Sequence, residues 1–363
     1  MLEEICEQFC FEGNFIYAEP YGCGHINDTY AVYYNRIEKS PIRYILQKIN
    51  TDIFDPDDLM SNISLVTEYL KKIIIENHGD PLRETLTIIP THEHESYFRD
   101  TNGDCWRSYI FIENTLTYQG AESEDIFYAS GKAFGAFQNK LAGFPTDKLH
   151  ETIKDFHNTP DRYQKLLDAI TENPLDRLRT VRNEIDFFMA HAAEYLRITT
   201  LIANGSIPLR VTHNDTKLNN ILLDPVTKEG VCIIDLDTIM PGSLLYDFGD
   251  SIRFGANTAA EDEQDLAAVH LSIPLFTAYT KGFLSQTKQT LTDAEIDNLA
   301  FGAKLMTMEC GMRFLTDYIL GDHYFKIHRP KHNLDRARTQ IKLVIEIESN
   351  MDCLNEIVRK FAK

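Results

Sequence analysis

Val211-Thr212-His213-Asn214-Asp215-Thr216-Lys217-Leu218-Asn219-Asn220 is the stretch on which the fold turns. It reads His-x-Asp-x-Lys-x-x-Asn, with Asp215 and Asn220 five positions apart. Two short β-like runs follow. Asn220-Ile221-Leu222-Leu223-Asp224 and Val231-Cys232-Ile233-Ile234-Asp235 flank Pro225–Gly230, the signature of a hairpin. The second run has the character of a buried strand and ends in a carboxylate. The hairpin therefore brings Asp235 close to Asn220 at the start of the partner strand. A polar turn before a buried strand accounts for parts of this pattern. It does not account for His, Asp, Lys, Asn and the distant Asp together.

The spacing is that of a kinase catalytic loop. Phosphoryl transfer needs little covalent help from a protein. It needs a carboxylate to orient the acceptor hydroxyl and take its proton, and oxygen donors to hold a divalent cation against the phosphates. Asp215 is the candidate base. Asn220 and Asp235 are candidate magnesium ligands, with water and phosphate oxygens completing the shell. Asp247-Phe248-Gly249 spells the magnesium triplet of protein kinases, but it follows the turn Pro241-Gly242 and does not end a buried strand. Asp247 and Asp250 are therefore read as structural, holding the loop's backbone or capping a helix.

Working outward, Tyr21-Gly22-Cys23-Gly24-His25-Ile26-Asn27 precedes a strand. Glycines there let backbone approach a phosphate closely, which makes Gly22, Gly24 and Asn27 candidate nucleotide contacts. The strand Arg43–Ile49 stands where a kinase keeps its phosphate-binding lysine. Strict alternation puts Gln47 and Lys48 on opposite faces and leaves open which one meets the nucleotide. Phe111, Ile112 and Glu113 form the candidate hinge against adenine. Gly131-Lys132-Ala133 lacks the flanking residues of a P-loop. His92-Glu93-His94-Glu95 lacks the spacing of a metal-binding helix and is expected to be an exposed turn.

The chain has 363 residues, 43% of them hydrophobic, enough to fill a sizeable core. A formal charge of −19 makes nucleic acid a poor partner. No apolar run approaches the ~20 residues that span a bilayer, so a membrane is not expected either. Seven scattered cysteines without a Cys-x-x-Cys pair, and an acidic N-terminus, point to free thiols and a cytoplasmic location. Texture changes along the chain. Short β-like runs (27–34, 43–49, 85–89, 96–98, 106–112) surround one helix, Asp57–Asn77. From Glu122 helices dominate: 122–142, 160–170, 182–203, 261–283, 293–320 and 335–350. The expectation is an α+β, bilobal, protein-kinase-like fold. A small antiparallel β-rich N-lobe with one long helix covers 1–113. A larger helical C-lobe carrying the catalytic hairpin covers 114–363.

The catalytic segment resembles the aminoglycoside phosphotransferase and choline kinase superfamily, with its His-x-Asp…Asn…Ile-Asp-Leu pattern. Further stretches are similar to the N-acetylhexosamine 1-kinase family within it. These are Glu19–Asn27, Tyr44–Gln47, Arg210–Leu222, Ile234–Gly242, Tyr246–Ala256, Thr307–Phe314 and Asp322–Phe325. That resemblance implies phosphorylation of N-acetylglucosamine or N-acetylgalactosamine by ATP and Mg2+ at the anomeric hydroxyl; the alternatives are a kinase of another small alcohol, such as choline, homoserine, methylthioribose or an aminoglycoside, or a non-catalytic nucleotide-binding module. The resemblance implies Asp215 as base beneath the sugar, and sugar contacts from His25, Arg313 and Tyr324. Arg313 equally suits an ion pair with Glu309 one turn away, and Tyr324 equally suits packing. The lysine of protein kinases is replaced here by Gln47.

Overall fold

The computed structural model describes residues 2–22, 26–37 and 39–363. Gly24 and His25 lie outside the described residues. The chain forms two compact units in a bilobal α+β kinase-like fold. One holds the residues up to Leu116 together with Gly143–Lys154 and Leu222–Met240. The other holds Thr117–Ala142, Asp155–Ile221 and Pro241–Lys363.

The first unit is built on one antiparallel sheet. Its strands are β1 (Asn14–Pro20), β2 (Asp28–Asn35), β3 (Ile42–Ile49), β4 (Phe98–Arg99) and β5 (Cys105–Ile110). They lie in the order β1-β2-β3-β5-β4. Val32, Tyr34, Tyr44, Leu46 and Trp106 face a core shared with Ile5, Cys6 and Phe9. The β3–β5 register sets Gln47 opposite Arg107 and Lys48 opposite Trp106. The long helix runs Pro56–Glu76. Asp55 caps it by accepting from the backbone of Asp57 and Asp58, and Pro56 fits the first turn, where its missing N–H costs nothing. Its buried stripe is Leu59, Ile63, Val66, Leu70 and Ile74. The expected strand at 85–89 forms only an isolated bridge, Ile88 to Tyr109. Pro90 follows it and carries no N–H with which to continue a ladder. The hairpin strands are Ile221–Leu223 and Gly230–Ile233. Most of the hairpin, from Leu222 onward, belongs to the sheet-bearing unit and not to the helical one.

The second unit is helical around Leu299–Leu320, a helix buried on nearly every side. Leu244–Gly255 packs against it closely. A Cβ at Gly249 would stand 2.4 Å from the Gly302 carbonyl oxygen, so only glycine permits that approach. The expected helix 182–203 divides into Arg182–Ala190 and Arg197–Ala203 around a short 3-10 turn. There His191 Nδ1 meets the Phe187 carbonyl at 2.8 Å, a side-chain bond to backbone where the first helix ends. The expected helix 261–283 begins only at Ile273, where Ser272 caps it and Pro274 fits its first turn. The helix 293–320 is interrupted between Ile296 and Leu299. A final amphipathic helix, Met351–Ala362, was not expected. Among the described residues no helix is long and apolar enough to cross a membrane. The six described cysteines are all free.

Candidate active site

In the helical unit the loop that carries Asp215 is held from behind by two carboxylates, Asp247 and Asp250. Asp247 is 1% exposed. Its Oδ2 accepts from the His213 N–H at 2.9 Å, and its Oδ1 accepts from the Asn214 N–H at 2.7 Å. Gln138 Nε2 donates to it at 2.6 Å. Asp250, one turn on, accepts from the Thr216 N–H at 3.2 Å. Ser251 Oγ donates to the Thr216 carbonyl at 3.0 Å, and Tyr279 donates in turn to Ser251. The Asp-Phe-Gly-Asp run is thus the loop's scaffold, as its position after a Pro-Gly turn suggested. Burial pushes the Asp247 carboxyl up, against the opposing pull of His213 and the two N–H donors. Asn214 takes a left-handed backbone, φ 63°, to turn the chain between these anchors.

The loop presents Asp215. Lys217 Nζ lies 2.8 Å from its Oδ1. Asn220 Nδ2 donates to its Oδ2 at 3.1 Å and to its main-chain carbonyl at 2.8 Å. Burial alone would lift this carboxyl, but Lys217, His213 and Asn220 outweigh it and hold it below its ordinary value. Asp215 is therefore ionised at neutral pH and able to accept a proton. The same pair raises the Lys217 ammonium. Asn220 turns its amide nitrogen on Asp215, which leaves its carbonyl oxygen as the group able to ligate a cation.

A second cluster in this unit surrounds Arg313. Glu309, 1% exposed, accepts from His157 Nδ1 at 2.7 Å and from Thr159 Oγ1 at 2.6 Å. It makes no ion pair with Arg313, although the guanidinium's charge helps hold it ionised against burial. The Arg313 guanidinium lies 5.2 Å from the Phe156 ring centroid and 5.5 Å from that of Phe325, with Tyr324 Oη 3.4 Å away. Tyr324 is 63% exposed, yet its ring meets Phe325 edge-on at 4.7 Å, so it packs on one side and is open on the other. Its loop is held by Asp317, which accepts from the N–H groups of His323, Tyr324 and Phe325.

In the sheet-bearing unit Asp235 ends the hairpin. It is exposed and takes a left-handed backbone, φ 61° and ψ 59°. A non-glycine residue held there is strained, a condition that clusters at functional sites. Hydrogen bonds fix the turn that follows. Asn62, fully buried on the helix Pro56–Glu76, donates to the carbonyls of Ile239 and His150. Asp237 accepts from Arg107 at 2.5 Å and from Asn27 at 2.6 Å. Gln47 accepts from Arg107 Nε at 3.0 Å and donates to Thr29 at 3.0 Å. Lys48 pairs with Asp104 at 2.6 Å. Asn27 and Gln47 are thus joined through Arg107 and Asp237, while Lys48 belongs to a separate ion pair.

The segment Phe111–Glu113 forms a different corner of that unit. The Arg43 guanidinium lies 3.8 Å from the Phe111 ring centroid and binds Glu113 through two nitrogens, and Tyr21 meets Phe111 edge-on at 5.3 Å. Arg83 Nη1 donates to the Glu113 carbonyl at 2.7 Å, and Thr115 Oγ1 donates to that of Ile112. Gly22 has φ 79° with open space around its Cα. The sequence reading gave no role to Arg107, Asp237, Asn62 or His157. The one signal for them was charge or amide within apolar surroundings, as in Cys105-Trp106-Arg107, because such a group needs a partner.

Comparison with known proteins agrees with this architecture. A model of the phosphotransferase enzyme family matches residues 18–279. Among solved structures, the chain is similar to an aminoglycoside phosphotransferase from Alicyclobacillus acidocaldarius. The two share 13% identity over 99% of this chain and 96% of that one, with a TM-score of 0.63. It is similar to a microcompartment-associated aminopropanol kinase at 14% identity, over 98% of both chains, with a TM-score of 0.61. A Plasmodium vivax ethanolamine kinase matches at 14% identity, over 89% of this chain and 82% of that one, with a TM-score of 0.52. At these identities the likeness is one of fold.

Proposed function

We propose that this chain, which belongs to the phosphotransferase enzyme family, moves the γ-phosphoryl group of ATP onto a hydroxyl of a small molecule, with Mg2+ as cofactor and Asp215 as base. The observation that carries the reading is the state of Asp215. It is a carboxylate contacted by the Lys217 ammonium and the Asn220 amide on a loop whose backbone is anchored by Asp247 and Asp250. In this reading the acceptor hydroxyl gives its proton to Asp215 as its oxygen attacks in line, and no covalent intermediate on the protein is needed. Asp235, an exposed acidic residue, and Asn220, through its carbonyl oxygen, each offer a hard oxygen donor and are the residues that would hold the cation. A bound Mg2+ would supply positive charge that offsets the charge of the phosphates. Gly22, Gly24 and Asn27 would meet the phosphates, and Phe111, Ile112 and Glu113 the adenine.

For the acceptor, the structural neighbours named above include kinases of amine-bearing alcohols. The resemblance of Thr307–Phe314 and Asp322–Phe325 favours instead an N-acetylhexosamine, phosphorylated at its anomeric hydroxyl to the α-1-phosphate. Arg313 among Phe156, Tyr324 and Phe325 supports this second reading. Aromatic faces stack on sugar rings, and a guanidinium opposes a cationic amine. His25 would be a further sugar contact.

The test is ADP release with Mg2+ and ATP over a panel of N-acetylglucosamine, N-acetylgalactosamine, galactose, choline, ethanolamine, homoserine and an aminoglycoside. Turnover confined to the N-acetylhexosamines, with phosphorus NMR placing the phosphate on C1, supports the sugar. Turnover confined to amine-bearing acceptors keeps the reaction and discards the sugar. ATP binding with no turnover on any acceptor discards the reaction.

A further inference from the structure

Gln47 occupies the third-strand place where protein kinases keep a lysine, and its amide brings no charge. The cation lies one strand over. Arg107 faces Gln47 across the β3–β5 ladder and is 1% exposed. Its Nε donates to Gln47 Oε1 at 3.0 Å and its Nη2 donates to Asp237 Oδ1 at 2.5 Å. Its Nη1 is buried without a partner among the described residues, a donor still to be satisfied.

Asp237 is engaged on every side. Besides Arg107, its Oδ2 accepts from Asn27 Nδ2 at 2.6 Å and its main-chain carbonyl accepts from Thr152 Oγ1 at 3.1 Å. Asn27 in turn accepts from the Asn50 N–H at 2.9 Å. Two positions earlier, Asp235 is exposed. Asp237 of the Asp-Leu-Asp segment is thus buried and bonded within the fold, while Asp235 is an exposed residue. A buried ion pair is a weak device for stability, because desolvating both charges costs several kcal/mol. What this pair does provide is fixed geometry.

We propose that Arg107 is a positioning residue for the divalent-cation site: paired with Asp237, it fixes the turn that presents Asp235 and fastens that turn to Asn27 beside the glycine segment. The proposal rests on the reading of Asp235 as a cation ligand. In it, Arg107 stands in for a third-strand lysine by acting through Asp237. It also keeps Asp237 from competing with Asp235 for the ion. Residues that orient a metal ligand without touching the metal act at this remove.

The experiment uses Mn2+ as the probe ion, followed by EPR, with ADP as the nucleotide and no acceptor. The double variant R107M/D237L removes both charges together, so the local field keeps its sum. Exchanging a buried ion pair for apolar groups of similar size tends to preserve stability. The expected result is a melting temperature held near that of the parent, metal-free ADP affinity unchanged, and Mn2+–ADP affinity lowered about tenfold or more. A folded double variant that binds Mn2+–ADP like the parent would overturn the proposal. Should that variant not fold, R107K keeps a cation beside Asp237 but gives up the forked contact that also reaches Gln47. It is expected to weaken Mn2+–ADP binding while metal-free ADP affinity stays unchanged, and parental binding would again overturn the proposal. A parent protein whose ADP affinity is indifferent to Mn2+ fails differently. It removes the cation reading itself, and this inference with it.

Discussion

The loop around Asp215 and the strand network around Arg107 are both buried polar assemblies, and they are built in opposite ways. In the loop, Asp215, Lys217 and Asn220 lie within six consecutive residues, and their spacing announces them. In the network, Asn27, Gln47, Arg107 and Asp237 come from four distant places: the sheet register sets Gln47 beside Arg107, and side-chain bonds bring in Asp237 and Asn27. The carboxylates differ as well. Asp215 has charged and amide partners that keep it ionised and partly open, whereas Asp247 and Asp237 are committed to donors within the fold. The contrast separates Asp215, the base in the proposed reaction, from groups that hold the fold around it. Substitution can break that separation.

The largest effect is expected at Asp215. Asp215→Asn keeps the shape and the contact with Asn220 but removes the base, so turnover should fall by about a thousandfold. ATP affinity, measured by calorimetry, should stay near that of the parent. Near-parental turnover would take Asp215 out of the reacting group. Asp247→Ala tests the holding side. It leaves the His213 and Asn214 N–H groups buried without an acceptor, at an expected cost of about 2–4 kcal/mol in urea unfolding. An unchanged unfolding midpoint would mean that the loop does not depend on this anchor.

Gln47→Lys asks whether the network tolerates the residue that protein kinases prefer. The new ammonium would sit against the Arg107 guanidinium, whose Nε now donates to the Gln47 oxygen. The variant should lose about 1–3 kcal/mol of stability and gain no activity. A more active, equally stable variant would show that the third strand is an ordinary lysine site after all.

How much was legible follows from the same contrast. The hairpin could be read because it is written within a short window, although its second strand ends at Ile233 and Asp235 stands two residues beyond it; the holding role of Asp247 could be read from the Pro-Gly turn that precedes it. The helix Pro56–Glu76 could be read from its apolar period and its Asp-Pro start. Arg107 could not be assigned, because its partners lie 60 and 130 positions away. Asn62 looked like one polar residue on an apolar stripe, yet it anchors two carbonyls. Glu309 and Arg313 have the spacing of a helical ion pair. The long-range partners His157 and Thr159 take the carboxylate instead. Local pattern proposes such pairs, and tertiary contact decides them.

A finer test lies within the loop itself. Burial raises the Asp215 carboxyl, while Lys217, foremost among its neighbours, and then His213 and Asn220 bring it below its ordinary value. A reaction that needs the ionised carboxylate therefore keeps its rate down to acid pH and loses it as the pH falls through that depressed pKa. Lys217→Met removes the main lowering influence and leaves burial opposed only by the weaker ones. The acid limb of the kcat/KM profile should move toward higher pH, with the rate on the plateau reduced less than in Asp215→Asn. A limb that stays in place would mean that Asp215 is not the group whose protonation stops turnover.

The smallest effect is expected at Tyr324, and it bears on whether the Arg313 cluster reacts or holds. Its hydroxyl lies 3.4 Å from Arg313, a long contact, and the ring is mostly exposed. The loop's backbone is fastened by Asp317 independently of that side chain. Tyr324→Phe should therefore leave the melting temperature alone and raise the acceptor KM by about twofold, the scale of a single weak hydrogen bond at an exposed site. Because the substitution keeps the aromatic face, kcat should not move. A fall in kcat with KM constant would place Tyr324 with the reacting groups. No change in either would leave the recognition role of this cluster to Arg313 and the Phe156 and Phe325 rings beside it.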